Sequence, residues 1–431
     1  MNEEFLHFIW KYRLYDPQSL RNGNGDLVEV LRPGDPNTDA GPDFLNCRIR
    51  VNNTVWAGNA EIHLRSSDWN RHRHQHDKSY DNVVLHLVQL HDVEVLNSSG
   101  REVSTCILRC DEQLMQNYHA LRNNQSWAPC EEKLKSLDPF LVRQWLARMM
   151  VERLEKRSGS IKQLLEEAGG DWQEVFYRMT LLALGMKVNS SPFEILGRML
   201  PYKLLLKHRD NQLQLEALLF GQSGFLAKEL FEDEYFTKLR LEYEFLQKKY
   251  SLRPMDVHQW KFMRLRPGNF PTIRIAQAAA LIRSGIMDFS YLVTCNTTQL
   301  AGSVTGLAAS EYWETHFQFH KESKKSLKKI GTEAASIILI NAMIPVLFAW
   351  GSDRKKQEVV DYALAQLEQI PAEDNTIIRH WAERGLEARH AFNCERSSLR
   401  NNYCVPRYCL QCAIGTKIVT RSPDVKLKIE T

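Results

Sequence analysis

The stretch GPDFLNCRIRVNNTVWAGNAEIHLR, residues 41–65, decides how the first part of this chain folds. From 44 to 51 the residues alternate. Leu45, Cys47, Ile49 and Val51 fall on one face, and Asn46, Arg48 and Arg50 on the other, the period of a half-buried strand. Asn52-Asn53 is a tight hairpin turn. The pattern resumes over 54–64, with Trp56, Ala60, Ile62 and Leu64 on one face. Glu61, His63 and Arg65 therefore share the opposite face. Working outward, 26–31 (DLVEVL) and 103–108 also read as strands. The nearly continuous apolar run 82–90 (NVVLHLVQL) suits a central strand covered on both sides. Before them, Phe5, Ile9 and Trp10 are spaced for a short amphipathic helix over 3–14. These elements predict a small mixed α/β domain over residues 1–112.

Residues 113–137 are polar and lack a period, so a connector is expected there. At Asp138 the period changes to that of helices. Asp138 can cap a helix with Pro139 in its first turn, and Leu141, Trp145, Met149 and Leu154 mark its buried stripe. Helical patterns continue through 172–186, 192–205, 211–219, 235–250, 273–283, 334–350 and 355–370. They predict a large all-helical domain over 138–385, followed by a cysteine-bearing segment at 386–416 and a polar tail at 417–431. With 431 residues, 43% hydrophobic and 25% charged, the chain is neither disordered nor fibrous. Its net charge of +4 is too weak to announce nucleic acid, though it permits a local basic groove. The start, Met1-Asn2-Glu3-Glu4-Phe5, lacks the basic and apolar regions of a signal peptide. The apolar run 334–350 contains Asn341 and Pro345, so it reads as a buried core helix. A cytoplasmic location with no membrane partner is expected.

Asp43 and Glu61 come from neighbouring strands. Two such carboxylates can hold a hard divalent cation, magnesium or manganese, with water completing the shell. Six of the fourteen histidines lie between 63 and 91, interleaved with aspartates. In RHRHQHD, 71–77, an extended chain would align His72, His74 and His76. A helix would align His72 with His76, with Asp77 beside them. Imidazole and carboxylate together suit a transition metal, so His72, His74 and Asp77 join Asp43 and Glu61 as candidate ligands.

Pro42-Asp43, followed on the next strand by Glu61-Ile62-His63, resembles the PD-(D/E)xK nuclease superfamily, with His63 where lysine is usual. The resemblance implies a restriction-endonuclease-like domain and metal-dependent hydrolysis of phosphodiesters in DNA or RNA. Asp43 and Glu61 would then hold the metal, with His63 and Arg65 standing in for the lysine. Across nearly the whole chain, PGDPNTDAGPDF (33–44), WAGNAEIHLRSSDWNRHRHQHD (56–77), ALLFGQSGFL (217–226), RLRPGNFPTIRIAQAA (264–279) and YCVPRYCLQCAIG (403–415) resemble the bacterial family catalogued as domain of unknown function 2851. That resemblance implies no activity. Two other readings stay open: a non-catalytic nucleic-acid-binding protein on a nuclease-like scaffold, and a histidine-rich metal-dependent hydrolase of a small molecule.

Two further features carry chemistry. Arg264, Arg266 and Arg274 surround a loop fixed by Pro267 and Pro271, with Thr272 placed to cap the next helix. Arginines beside a helix N-terminus suit phosphate, although a rigid loop with paired arginines explains them too. The lysines at 321, 324, 325, 328 and 329 form a basic run that reads equally well as solvated surface. Cys404, Cys409 and Cys412, with Cys394 or His390 as a fourth ligand, have spacings that suit structural zinc or an iron–sulfur cluster. Reduced thiols in a small hairpin are the alternative.

Overall fold

The computed structural model describes residues 2–227, 233–294, 302–371, 376–386 and 396–421. The chain divides into two compact units. One comprises residues 1–145 with the C-terminal part from 398; the other comprises residues 146–397. The architecture is mixed α/β, with a mixed sheet near the N-terminus and a largely helical remainder.

In the first unit, helix α1 (Glu3–Lys11) is capped by Asn2, whose side chain accepts the Phe5 amide, and it buries Phe5, Leu6, Phe8, Ile9 and Trp10. The Trp10 indole donates to the Pro33 carbonyl at 2.9 Å, tying the helix to the sheet. Strands β1 (Val28–Arg32), β2 (Asp35–Pro36), β3 (Phe44–Val51), β4 (Thr54–Arg65), β5 (Val83–Leu90) and β6 (Thr105–Ile107) follow. The sheet order is β1-β3-β4-β5-β6, with β2 paired to β3. The first strands are antiparallel; β5 lies parallel to β4, and β6 parallel to β5. The crossover from β4 to β5 carries α2 (Asp68–Arg71) and two short 3-10 turns. Asn52, at φ 52°, makes the β3–β4 turn. Gly58 permits β4 to approach β5, since a Cβ there would lie 2.3 Å from the Asn82 carbonyl oxygen.

Two expectations are corrected here. The polar segment 113–137 carries helix α3 (Glu112–Asn123), which buries Leu114, Tyr118 and Leu121 at spacings of four and three. Tyr118 stacks on Phe5 with centroids 4.4 Å apart. The face assigned to β3 also changes at its start: Phe44 is buried with Cys47 and Ile49, while Leu45 is only half-buried. The cause is a bulge at Asn46, whose φ is 59°.

Helix α4 (Pro139–Glu167) runs from the first unit into the second. Asp138 Oδ1 accepts the Phe140 amide at 2.8 Å, as its capping role predicts. The second unit is built from helices around one continuous core that includes Phe176, Tyr177, Phe193, Phe220, Trp313 and Phe348. It is not all-helical, because His316–Gln318 and Lys321–Glu322 form a small two-stranded sheet. The segment Thr332–Asp353 is long and apolar enough to cross a membrane by length and composition, and 78% of its apolar window is buried inside the structure. Pro345 cannot donate to the helical ladder, and a π-turn at Leu339–Met343 lies just before it.

Candidate metal centre

The bulge in β3 sets the geometry of the centre. Cys47 pairs with Gly58 and Phe44 with Ala60, so three steps along β3 match two along β4. This one-residue shift brings Asp43 across from Glu61. The Asp43 amide donates to Glu61 Oε2 at 3.0 Å, and the Ile62 amide donates to Asp43 Oδ2 at 3.0 Å. Each carboxylate thus accepts a backbone amide beside the other at the edge of the hairpin. His7 from α1 joins them, with its Nε2 3.2 Å from Asp43 Oδ2.

Glu61 and His63 share a face of β4 by alternation. The parallel pairing sets His86 beside Glu61 and Thr105 beside His86, a row across three strands. The crossover supplies the rest. Helix α2 ends at Arg71; Arg73 then takes a left-handed conformation, φ 64°, before the turn His74–His76. That single reversal brings His72 and His74 together and leaves His76 exposed. Nitrogens of His63, His72 and His74 all lie within 4.8 Å of one another. His63 Nε2 is 3.1 Å from His72 Nδ1 and 3.5 Å from Glu61 Oε1, and His74 Nε2 is 3.4 Å from that same oxygen. A tetrahedral ion bound at zinc–nitrogen distances holds its ligands ~3.3 Å apart, so these separations match edges of such a polyhedron. Trp69 and Tyr80 wall the centre, with the Tyr80 ring stacked 3.8 Å from His74.

Hydrogen bonding sets the tautomers. Thr105 Oγ1 donates to the Val103 carbonyl at 3.1 Å, so it accepts from His86 Nδ1 at 3.3 Å. His86 Nε2 is then bare and accepts from His63 Nδ1 at 2.9 Å. His63 Nε2 is left as a lone pair facing Glu61 Oε1 and His72. His74 Nε2 is buried without a hydrogen bond of good geometry. Lone pairs directed at a carboxylate in a buried site repel unless a cation lies between them.

The electrostatics agree. His63 is 2% exposed. Its pKa is pushed down to about 4 by burial first and by His74 and His72 next. His86 is held well below its ordinary value, again chiefly by burial. Burial raises the Glu61 carboxyl, the His74 contact opposes this, and the charge of Asp43 adds to it. His7 behaves otherwise: burial disfavours its charge, but the hydrogen bond and charge of Asp43, with Glu3 and Glu61, prevail and raise its pKa.

The other expected site residues fall apart from this centre. Asp77 is exposed and caps the turn Lys78–Tyr80, accepting the Ser79 amide at 2.9 Å and the Ser79 hydroxyl at 2.8 Å. Arg65 ends β4 with its side chain exposed. Arg264 and Arg266 are exposed, whereas Arg274 is buried and donates to Gln277 Oε1 at 2.8 Å and Asn269 Oδ1 at 2.6 Å. Thr272 does not cap its helix; its hydroxyl donates to the Phe317 carbonyl at 2.5 Å. Lys328 leaves the basic run for a buried position over the Phe317 ring. Cys394 lies outside the described residues. His7 and Thr105 carry no signal in the sequence, and His86, one of the six clustered histidines, reads there as a hydrogen-bonded core residue.

No curated protein and no solved structure matches the chain. A family model described as "Protein of unknown function (DUF2851)" matches residues 3–376, which include every residue of the histidine centre. The chain therefore belongs to the DUF2851 family of proteins of unknown function.

Proposed function

We propose that the first unit binds a divalent transition metal through His63, His72, His74 and Glu61 and hydrolyses phosphodiester bonds in DNA or RNA. The observation that carries this reading is the convergence of three imidazole nitrogens and one carboxylate oxygen, with Asp43 hydrogen-bonded beside them. The donor set favours zinc or manganese over magnesium, because imidazole suits the former. The order helix, antiparallel strands, helical crossover and parallel strand also supports a restriction-endonuclease-like scaffold, with Pro42-Asp43 just before β3 and Glu61 within β4.

A cation there would supply Lewis acidity to the attacked phosphate and activate the attacking water. Asp43, oriented by the Ile62 amide, accepts the proton of that water. His63 is neutral and bonded to His86, so it does not take the place of the missing lysine. His7, whose pKa the Asp43 contact raises against its burial, is placed to supply that positive charge instead. A small-molecule phosphodiester is the second reading. It is favoured by the burial of Glu61, His63 and His74, which leaves His72 as the exposed member of the set.

The test uses full-length protein loaded with manganese or zinc. Single-stranded and duplex DNA, RNA and an aryl phosphodiester are offered separately. Cleavage of polymer is expected, falling ~100-fold or more in Asp43→Asn while the metal content stays unchanged. Cleavage of the aryl ester alone would favour the second reading. Undiminished cleavage in both Asp43→Asn and Glu61→Gln would end the assignment.

A further inference from the structure

A second set of metal-ligating side chains lies in the first unit, away from the histidines. Cys404, Cys409 and Cys412 follow one another in the spacing C-x4-C-x2-C. Three cysteines leave a tetrahedral thiolate site one ligand short. The sequence offered Cys394, the nearest neighbour along the chain. The fold offers Cys130, more distant in sequence and close in space.

Several contacts place Cys130 there. The Arg400 guanidinium lies 4.8 Å over the Trp127 ring, three residues before Cys130. The Trp145 ring meets Tyr403, with centroids 5.4 Å apart. Cys130 is buried, and the groups whose charge acts on it are Cys404, Cys412 and Cys409. The chain after Cys412 turns back tightly: a Cβ on Gly415 would lie 2.1 Å from the Cys409 carbonyl oxygen. That turn brings the Gly415 and Ile414 amides to the Cys412 sulfur, where they lower its pKa against the larger effect of burial.

We infer that Cys130, Cys404, Cys409 and Cys412 form a four-thiolate site for an iron–sulfur cluster. The Arg400–Trp127 and Trp145–Tyr403 contacts hold the two cysteine-bearing segments together, and two backbone amides at one sulfur suit a metal-bound thiolate better than a neutral thiol, a weak acceptor. Arg400 and Arg407 stand near Cys404 and balance negative charge. None of the four is in a disulfide. Without a metal, burial and mutual repulsion keep these thiols protonated, with Cys404 raised to about 12 and Cys409 to about 11. Ligation displaces those protons. Iron–sulfur is favoured over zinc because C-x4-C-x2-C with one remote cysteine is a cluster spacing, whereas structural zinc is more often held by two close pairs. Such a cluster would fasten the C-terminal segment to the turn at residues 126–130.

The test starts from full-length protein purified without oxygen. We expect roughly two to four iron atoms per chain with matching acid-labile sulfide, together with the visible absorption and electron paramagnetic resonance of a cluster. Cys130→Ser and Cys409→Ser should each reduce iron to background, while Cys47→Ser and Cys394→Ser retain it. Limited proteolysis should release the C-terminal segment only when iron is lost. Stoichiometric zinc without iron, or absence of both metals, overturns the inference. So does full iron in Cys130→Ser. If Cys130→Ser does not fold, wild-type protein still decides the matter. Stripping iron with a chelator should expose Cys130, Cys404, Cys409 and Cys412 together to a maleimide, and exposure of Cys394 in place of Cys130 overturns the assignment.

Discussion

The two units treat buried polar groups differently. In the helical unit several buried carboxylates and imidazoles are completed by fixed partners. Glu174 accepts from Arg178 at 2.8 Å and from the Tyr202 amide at 2.9 Å. His208 bridges Gln214 and the Tyr250 hydroxyl at 2.7 and 3.0 Å. Glu216 accepts from Gln212 and Ser310, each at 3.1 Å. On the sheet face of the first unit, His63 Nε2 and His74 Nε2 crowd one oxygen of the buried Glu61 carboxylate at 3.5 and 3.4 Å. Buried groups satisfied by neighbours hold a fold together, whereas a buried carboxylate and imidazoles clustered without such partners are candidates for a binding site. The difference singles out the histidine centre as the candidate site where residue types alone do not.

The contrast breaks most visibly if a histidine is removed. His74→Ala should lower affinity for zinc or manganese by more than ~100-fold, exceeding the 10–100-fold usual for groups that only support a ligand. Isothermal titration into metal-free protein measures this, and unchanged affinity would place His74 with the structural groups. Next in size is a pair of opposite pH dependences. His63, depressed from 6.5 to about 4, contributes stability that is complete above pH 6.5 and lost as pH falls through 4. Glu216, 1% exposed and raised from 4.5 to about 7, contributes stability that is complete below pH 4.5 and lost as pH rises through 7. Each spans about 3 kcal/mol. Denaturant unfolding of metal-free protein should show Glu216→Gln gaining on wild type as pH rises from 4.5 to 7. His63→Gln should gain as pH falls below 6.5. A pH-independent difference in either variant would contradict its environment as described.

A smaller effect sharpens the comparison. Thr105→Val removes the acceptor that fixes the His86 tautomer and should weaken metal binding ~10–100-fold without a change of fold, seen as the same far-ultraviolet dichroism. Should Thr105→Val bind metal as wild type does, the relay would be structural only. The smallest expectation is a null result: Asp77→Asn should leave metal content unaltered, since its carboxylate is committed to Ser79. A metal loss there would return Asp77 to the ligand set.

Much of the first unit was legible in advance because period-two alternation is a local property. The strand expected over 44–51 is Phe44–Val51, and that over 54–64 is Thr54–Arg65. Helix α3 was missed because its buried stripe, Leu114, Tyr118 and Leu121, is sparse among polar residues. His72 and His74 stood out by composition. Which of the loop histidines would converge depended on Arg73, whose left-handed backbone fits neither an extended nor a helical reading. Likewise, Cys394 was nearest along the chain, while Cys130 became a candidate only through folding.

By itself the sequence determined the alternating strands, the change to helical period at Asp138, and the residue types able to hold a metal, because each follows from side-chain chemistry and near-neighbour spacing. Only the tertiary structure decided that Asp43 faces Glu61, that His7 joins Asp43, and that Thr105 and His86 orient His63. Those relations depend on strand register and on one extra residue in a bulge. A register is fixed by packing over the whole sheet, so a shift of one residue, invisible in composition, changes which side chains meet.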